Sequence, residues 1–150
     1  MKNLFLFMAI TLVGLGGCSE KRSQPLAIDN SLTQEEIAAG VLSPEVMWKM
    51  GRVGLASLSP DASRLLYTVT WYNMQENRGV TAIYVRDAAS GEVAQLTDFS
   101  SNNSDPKWNA DGSKIYFLSD LSGSSQIWEM AADGQNPRPV SYTHLTLPTS

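Results

Sequence analysis

Two stretches of the sequence decide its fold, LSPDASRLLY at residues 58–67 and WNADGSKIYF at residues 108–117. Each passes from an aspartate through a small residue, a serine and a basic residue into an apolar run that contains a tyrosine. An aspartate followed by a residue that tolerates a left-handed backbone is typical of a tight turn between antiparallel strands. The sequence therefore predicts equivalent turns at Asp61 and Asp111.

The residue after each aspartate differs between the two turns. Gly112 accepts a left-handed conformation without strain, whereas a left-handed Ala62 costs roughly 1 kcal/mol. We interpret Asp61 and Asp111 as turn formers rather than as catalytic or metal-binding groups. The surroundings of Asp111 also do not fit a calcium loop, because Lys107 would occupy the first ligand position. We therefore predict no metal or cofactor site.

Beyond Gly51 the chain consists of short runs rich in Val, Ile, Tyr and Trp that alternate with turn residues, a pattern typical of strands. The predicted strands are 55–59, 64–71, 82–87 and 93–97, then 106–109, 114–120, 126–131 and 137–141. Four strands repeated at this period indicate β-propeller blades. The predicted fold is all-β, with two blades of an incomplete propeller at about 52–98 and 105–139. Trp108 and Trp128 are predicted to pack between blades.

The first 17 residues have the features of an export signal, with Lys2 before a short apolar run. They end in LGGC at residues 15–18, which resembles the lipobox of bacterial lipoproteins. This resemblance implies cleavage between Gly17 and Cys18 and lipid attachment to Cys18, and two or more acyl chains suffice for stable membrane anchoring. The alternative is a buried first helix with an unmodified thiol.

Two segments separate this signal from the blades. Residues 18–32 are polar with little periodicity, as expected of a tether. Residues 33–51 are predicted to hold two short helices. Thr33 begins the first with a capping box, and Ser43 begins the second, which is expected to end at Gly51.

Composition excludes several classes of protein. The 150 residues carry a net charge of −4, with 43% hydrophobic and 17% charged residues, which suits a folded domain and gives no basic surface for nucleic acid. The single cysteine, Cys18, excludes a disulfide framework and a zinc cluster. No Gly-x-Ser-x-Gly motif is present, and the single histidine, His144, lies near the end of the chain. We therefore assign no catalytic residue.

The segment LSPEVMWKMGRVGLASLSPDASRLLYTVTWYN at residues 42–73 resembles the start of the propeller in the prolyl oligopeptidase family of serine peptidases. It is most similar to the bacterial dipeptidyl-aminopeptidase and acylaminoacyl-peptidase branches, and the resemblance extends over about 42–140. The two turns are also similar to those of periplasmic Tol-type propellers. The helix SPEVMWKMGRV distinguishes the peptidase family from the Tol-type propellers better than the turns do. The resemblance implies a propeller that restricts access to peptides, followed by an α/β-hydrolase domain bearing Ser, Asp and His.

Two functions follow from this resemblance. In the first, the chain is the front of a lipid-anchored serine peptidase of the bacterial cell envelope, acting on peptides but without the catalytic domain. In the second, it begins a non-enzymatic Tol-like propeller that binds a protein or glycan. The loop YNMQENRG at residues 72–79 lies opposite the Asp61 turn, and Glu76 and Arg78 are its candidates for substrate contact. The alternative is that this loop is only a solvated connection.

The last residues, VSYTHLTLPTS at 140–150, resemble a translated sequencing adapter. This resemblance implies a tail that is not native to the protein. The start of the tail is ambiguous, because Val140 and Ser141 also complete the last predicted strand. The alternative is a native strand continued by a loop.

Overall fold

The computed structural model of the chain describes residues 25–140. Within them two short helices precede two four-stranded antiparallel sheets, in each of which the strands follow in sequence order. The elements are α1 (Gln34–Ala39), α2 (Pro44–Lys49), β1 (Arg52–Leu58), β2 (Arg64–Asn73), β3 (Arg78–Asp87), β4 (Val93–Gln95), β5 (Asn103–Trp108), β6 (Lys114–Ser119), β7 (Gln126–Ala131) and β8 (Arg138–Pro139). Strands β1–β4 form blade 1 and β5–β8 form blade 2. The predicted all-β fold with two blades is confirmed.

The helices begin where their capping residues predict. Thr33 Oγ1 accepts a hydrogen bond from the Glu36 amide at 3.2 Å, and the Glu36 carboxylate accepts one from the Thr33 amide at 2.7 Å. This capping box satisfies amide groups that the first turn of a helix leaves without partners. Helix α2 begins after Ser43 but ends at Lys49 rather than at the predicted Gly51, because the chain becomes extended at the next residue.

Three strands begin earlier than the sequence predicts. Strand β1 starts at Arg52, β3 at Arg78 and β5 at Asn103, each three or four residues before the predicted start. The added residues include glycine and asparagine, which are typical of turns. Cross-strand pairing overrides that local preference, as in the direct pairing of Asn73 with Arg78.

The hydrophobic core lies between the two blades. Leu66 and Ile83 of blade 1 are fully buried and belong to one cluster with four residues of blade 2, namely Ile115, Phe117, Trp128 and Met130. Trp108 packs against this cluster, and its Nε1 donates to the Ser57 carbonyl of blade 1 at 3.3 Å. Full burial of an apolar side chain of this size contributes about 1.5–3 kcal/mol. The packing between the sheets therefore holds the blades together.

Part of the predicted tether belongs to the folded body. Leu26 is buried, and its amide donates to the Phe99 carbonyl at 2.9 Å. Asn73 Nδ2 donates to the Ala27 carbonyl at 2.7 Å. Residues 26 and 27 of the predicted tether thus contact the folded body, which the sequence did not indicate because the short apolar run at residues 26–28 gives no periodic signal.

The predicted signal peptide, Cys18 with its lipid, and tail residues 141–150 lie outside the described residues. Val140 lies inside them, and its amide donates to the Ile127 carbonyl at 2.8 Å, as the Leu96 amide does to the Ile83 carbonyl in blade 1. Val140 therefore continues the sheet of blade 2. Neither helix found between residues 25 and 140 has the length and apolar character needed to cross a bilayer.

Candidate functional site

The turn at Asp61 is closed by hydrogen bonds from its neighbours. Asp61 Oδ1 accepts from Ser59 Oγ at 2.5 Å and from the Ser63 amide at 3.1 Å, while Oδ2 accepts from Ser63 Oγ at 2.8 Å. These bonds, first from Ser59 and then from Ser63, lower the pKa of Asp61 from 3.8 to about 2. Its carboxylate is therefore ionised, and it accepts hydrogen bonds from the neighbouring residues Ser59 and Ser63.

The turn at Asp111 has the same construction. Asp111 Oδ1 accepts from the Ser113 amide at 2.8 Å, and hydrogen bonds from Ser113 hold the pKa of this carboxyl below its usual value. The following residues, Ala62 and Gly112, have φ of 57° and 73°. Both aspartates thus occupy structural turns. The described part of the chain contains no cluster of His, Cys, Asp or Glu that could hold a metal ion.

The hairpin between β2 and β3 lies at the opposite end of blade 1. Its loop is only residues 74–77, shorter than the predicted 72–79, because the paired strands extend to Asn73 and from Arg78. Arg78 Nη1 lies 3.5 Å from Glu76 Oε2, and both side chains are about half exposed. An exposed ion pair of this kind adds at most about 1 kcal/mol to stability. The two candidate substrate contacts therefore face each other at the hairpin tip.

Beside this hairpin lies a groove of about 620 Å³, here called the aromatic groove. Its walls include Trp48 of α2, Tyr72 of β2 and Met74 of the hairpin loop. The Trp48 and Tyr72 rings meet edge to face with centroids 5.1 Å apart, and the Arg52 guanidinium lies 4.5 Å and 4.6 Å from their respective centres. These contacts fix both rings, so that one side of the groove is a preformed apolar surface.

The groove also carries negative charge. Asp29 and Glu45 line it, and their pKa values are lowered, for Asp29 by hydrogen bonds from Ser31 and for Glu45 by its own backbone amide and Ser43. Lys49 lines it too, but its Nζ forms an ion pair with Glu36 at 2.9 Å. A groove of this size, with an aromatic wall and ionised carboxylates, suits an apolar group that carries a cation.

The sequence did not predict this groove, although it singled out the hairpin next to it. The lining residues come from three separate segments, near residues 27–29, 44–49 and 72–75. Residues that are distant in sequence meet only in the folded chain, so no local spacing marks them. Met74, an exposed apolar residue beside Tyr72 in a loop, is the one local signal of an apolar surface there.

Comparison with known proteins places this geometry in a family. The family model described as the TolB beta propeller domain matches residues 33–148. The chain belongs to this propeller family. Two similar proteins are dipeptidyl-peptidase 5 of Porphyromonas endodontalis, 32% identical over 114 residues, and dipeptidyl-peptidase 5 of Porphyromonas gingivalis, 32% identical over 126 residues. These matches cover 75% and 84% of this chain but only 16% and 17% of those proteins, so the chain spans about a sixth of their length.

Two solved peptidase structures share the fold at lower identity. The acylaminoacyl peptidase of Pyrococcus horikoshii has a TM-score of 0.53 at 19% identity, over 63% of this chain and 14% of that one. The AtxE2 isopeptidase has a TM-score of 0.56 at 17% identity, over 69% of this chain and 20% of that one. Together with the dipeptidyl-peptidase matches, these similarities confirm the resemblance to peptidase propellers.

Proposed function

We propose that the chain forms the first part of the propeller of a lipid-anchored serine peptidase, and that this propeller controls which peptides reach the catalytic domain. The observation that carries the proposal is the 32% identity with dipeptidyl-peptidase 5 over 114 residues. Peptide hydrolysis by a serine enzyme needs an activated hydroxyl and donors for the oxyanion. We assign neither in this sequence, so the chain contributes access and binding rather than chemistry.

The aromatic groove is the proposed contact surface for peptides. Trp48, Tyr72 and Met74 offer apolar contact to a side chain, and the carboxylates of Asp29 and Glu45 attract a positively charged group. Glu76 and Arg78 sit at the rim of the hairpin, where their ion pair opens at small cost if a charged substrate group replaces one partner.

Localisation forms part of the same proposal. Lipidated Cys18 would hold the enzyme on a membrane of the bacterial cell envelope, facing the periplasm or the cell surface. Membership of the TolB propeller family supports an envelope setting. In this proposal peptides are the substrates of the whole enzyme, and the protein does not bind nucleic acid.

The decisive experiment is to sequence the source genome through and beyond codon 139 and to express the complete product. We expect the open frame to continue into a Gly-x-Ser-x-Gly elbow followed by Asp and His, and the product to hydrolyse chromogenic dipeptides until a serine-directed reagent blocks it. A native stop codon soon after codon 150, or a complete product with no turnover, would contradict the proposal.

The role of the groove is tested separately by Met74→Arg in the complete product. A cation placed in the groove should raise KM for peptides at least tenfold and leave kcat within twofold, because the change removes binding rather than chemistry. Val93→Arg is the matched control, since Val93 is exposed to a similar degree, 51% against 57% for Met74, but lies on β4 outside the groove. Equal KM values for the two variants would exclude the groove as the contact surface.

A second candidate is a non-enzymatic envelope propeller that binds a protein or glycan. The observation that favours it is the family model itself, which is that of the TolB propeller. The same genome sequence separates the two candidates, because a non-enzymatic propeller would complete its blades without a nucleophile elbow.

A further inference from the structure

A second cavity lies beside the β2–β3 hairpin, where the two blades meet. Its volume is about 300 Å³, and it is here called the junction pocket. Blade 1 contributes Arg78 and Val80 at the start of β3, and blade 2 contributes Asp120 and Leu121 in the turn after β6. The remaining wall is the connection between the blades, at residues 100–102. Because both blades and the chain between them form its walls, the pocket lies between the blades and not on the outer face of either one.

A smaller hollow joins this pocket to the aromatic groove. Its volume is about 180 Å³, and it shares Trp48, Tyr72 and Met74 with the aromatic groove and Arg78 with the junction pocket. Side chains alternate along a strand, so Tyr72 lies on the same side of β2 as Leu66, which belongs to the core between the blades. The three cavities therefore form one surface across the hairpin, here called the hairpin surface.

Gly79 keeps this surface continuous. It pairs with Tyr72 across the hairpin, and a Cβ added at Gly79 would lie 2.9 Å from Tyr72 Cε1. That distance is shorter than the optimal separation of two carbon atoms, so the ring takes its place because Gly79 has no side chain. The Tyr72 ring thereby forms a wall of both the aromatic groove and the smaller hollow.

The hairpin surface carries a net negative charge. Five charged residues of the described chain line it, namely Asp29, Glu45, Asp120, Lys49 and Arg78. Both cations already have a carboxylate partner, since Lys49 Nζ lies 2.9 Å from Glu36 Oε2 and Arg78 Nη1 lies 3.5 Å from Glu76 Oε2. Arg52 packs on the aromatic rings but does not line any of the three cavities. Five carboxylates therefore face two cations, which leaves three negative charges.

The aromatic groove suits a basic side chain better than the terminal ammonium group of a peptide. The stems of lysine and arginine pack along apolar surface while the charged end reaches polar groups. Trp48, Tyr72 and Met74 provide such an apolar wall, and Asp29 and Glu45 provide the carboxylates. A terminal ammonium group has no stem of this kind, so it would leave the wall without contact.

Asp120 is the corresponding carboxylate of the junction pocket. Its Oδ1 accepts from the Asn102 amide at 2.8 Å, and its Oδ2 accepts from Asn102 Nδ2 at 3.4 Å. A carboxylate has about four acceptor sites, so these two bonds leave room for a further donor. Asn102 thus holds Asp120 in place without using its full capacity.

We propose that the hairpin surface binds peptides that carry two basic side chains, one with its charge at Asp29 and Glu45 in the aromatic groove and the other with its charge at Asp120. This inference rests on the proposed function, because it names the class of peptide that the propeller admits. Opposite charges attract such peptides to the surface, whereas acidic peptides are repelled.

The experiment measures binding, so that it does not depend on hydrolysis. The complete product is treated with a serine-directed reagent, and fluorescence anisotropy follows a dansyl-labelled alanine peptide that contains two lysines. The reference is the same peptide with norleucine in place of lysine, which keeps the apolar stem and lacks the charge. We expect the lysine peptide to bind at least about tenfold tighter at low ionic strength, and the difference to shrink as salt is added.

Charge-removing variants locate the attraction. Glu45→Gln and Asp120→Asn should each weaken binding of the lysine peptide at least about threefold and leave binding of the norleucine peptide unchanged, because the amide keeps the shape of the side chain. Glu92→Gln is the matched control. Glu92 is also exposed, but it lies in the turn between β3 and β4, outside the hairpin surface. This variant should bind both peptides as the wild type does.

Three results would overturn the inference. One is equal affinity for the lysine and norleucine peptides, and another is a lysine peptide that does not bind measurably. The third is a loss in Glu92→Gln as large as that in Glu45→Gln and Asp120→Asn, since the attraction would then come from the charge of the whole protein. If the urea midpoint shows that Glu45→Gln is unfolded, Asp29→Asn replaces it in the same design.

Hydrolysis separates this inference from the proposed function. A complete product without turnover that still prefers the lysine peptide would contradict the peptidase and support the class of peptide. Turnover without that preference would support the peptidase and contradict the class of peptide.

Discussion

Replacement of Ala62 by glycine should stabilise the protein. The backbone at Ala62 is left-handed, with φ of 57°, as it is at Gly112 in the equivalent turn. The Ala62 amide donates to the Ser59 carbonyl at 2.8 Å, and the Gly112 amide donates to the Asn109 carbonyl at 3.2 Å. The backbone hydrogen bond that closes the turn is the same in both, whereas the residue in the left-handed position differs, with a side chain at Ala62 and none at Gly112.

The magnitude follows from two opposing effects. A left-handed conformation costs an L-residue roughly 1–2 kcal/mol, which Ala62→Gly removes. Glycine also gives the unfolded chain more freedom, which costs about 0.4–1 kcal/mol. The free energy of unfolding should therefore rise by between about 0 and about 1.6 kcal/mol.

The assay is urea titration at one protein concentration, with two controls. Ala89→Gly, in an exposed turn where φ is not positive, should lower the free energy of unfolding by about 0.4–1 kcal/mol. Gly112→Ala should also lower it, because φ is 73° and the new Cβ would lie 3.3 Å from Pro60 Cδ. If Ala62→Gly destabilises the protein as much as Ala89→Gly does, strain at Ala62 is not the source of the difference between the turns.

Three further outcomes are expected. Leu66→Ala should lower the free energy of unfolding by about 2–5 kcal/mol in urea, since Leu66 is fully buried, whereas exposed Leu58→Ala should change it by no more than about 0.5 kcal/mol. Folding lowers the pKa of Asp61 from 3.8 to about 2, so its stabilising effect is complete above the unfolded value and is lost as the pH falls through about 2. The urea midpoint of Asp61→Asn should therefore fall less over this acid range than that of the wild type, and parallel curves would argue against the role of Asp61. Cys18→Ser should abolish labelling of the protein by a radioactive fatty acid in cells. If the variant is still labelled, Cys18 is not the site of lipid attachment.

The sequence predicted the two blades and their turns correctly, but it placed the ends of several strands wrongly. Asp61 and Asp111 mark the turns because an aspartate side chain bonds to backbone groups only two residues away, so the signal is contained in a few adjacent letters. The start of β3 at Arg78 was missed because pairing with Asn73, and not the preference of Arg78 itself, makes that residue a strand. The same reason shortened the loop that carries Glu76.

The sequence by itself determined the turns, the caps of both helices and the alternation that gives each blade two faces. These features depend only on residues a few positions apart in the sequence. Only the tertiary structure decided that Leu26 packs on the Phe99 segment and that Trp48 and Tyr72 enclose a groove. It also decided which face of each blade is covered. Such contacts join residues tens of positions apart, and their free energy comes from apolar surface that is buried together only when the chain has folded.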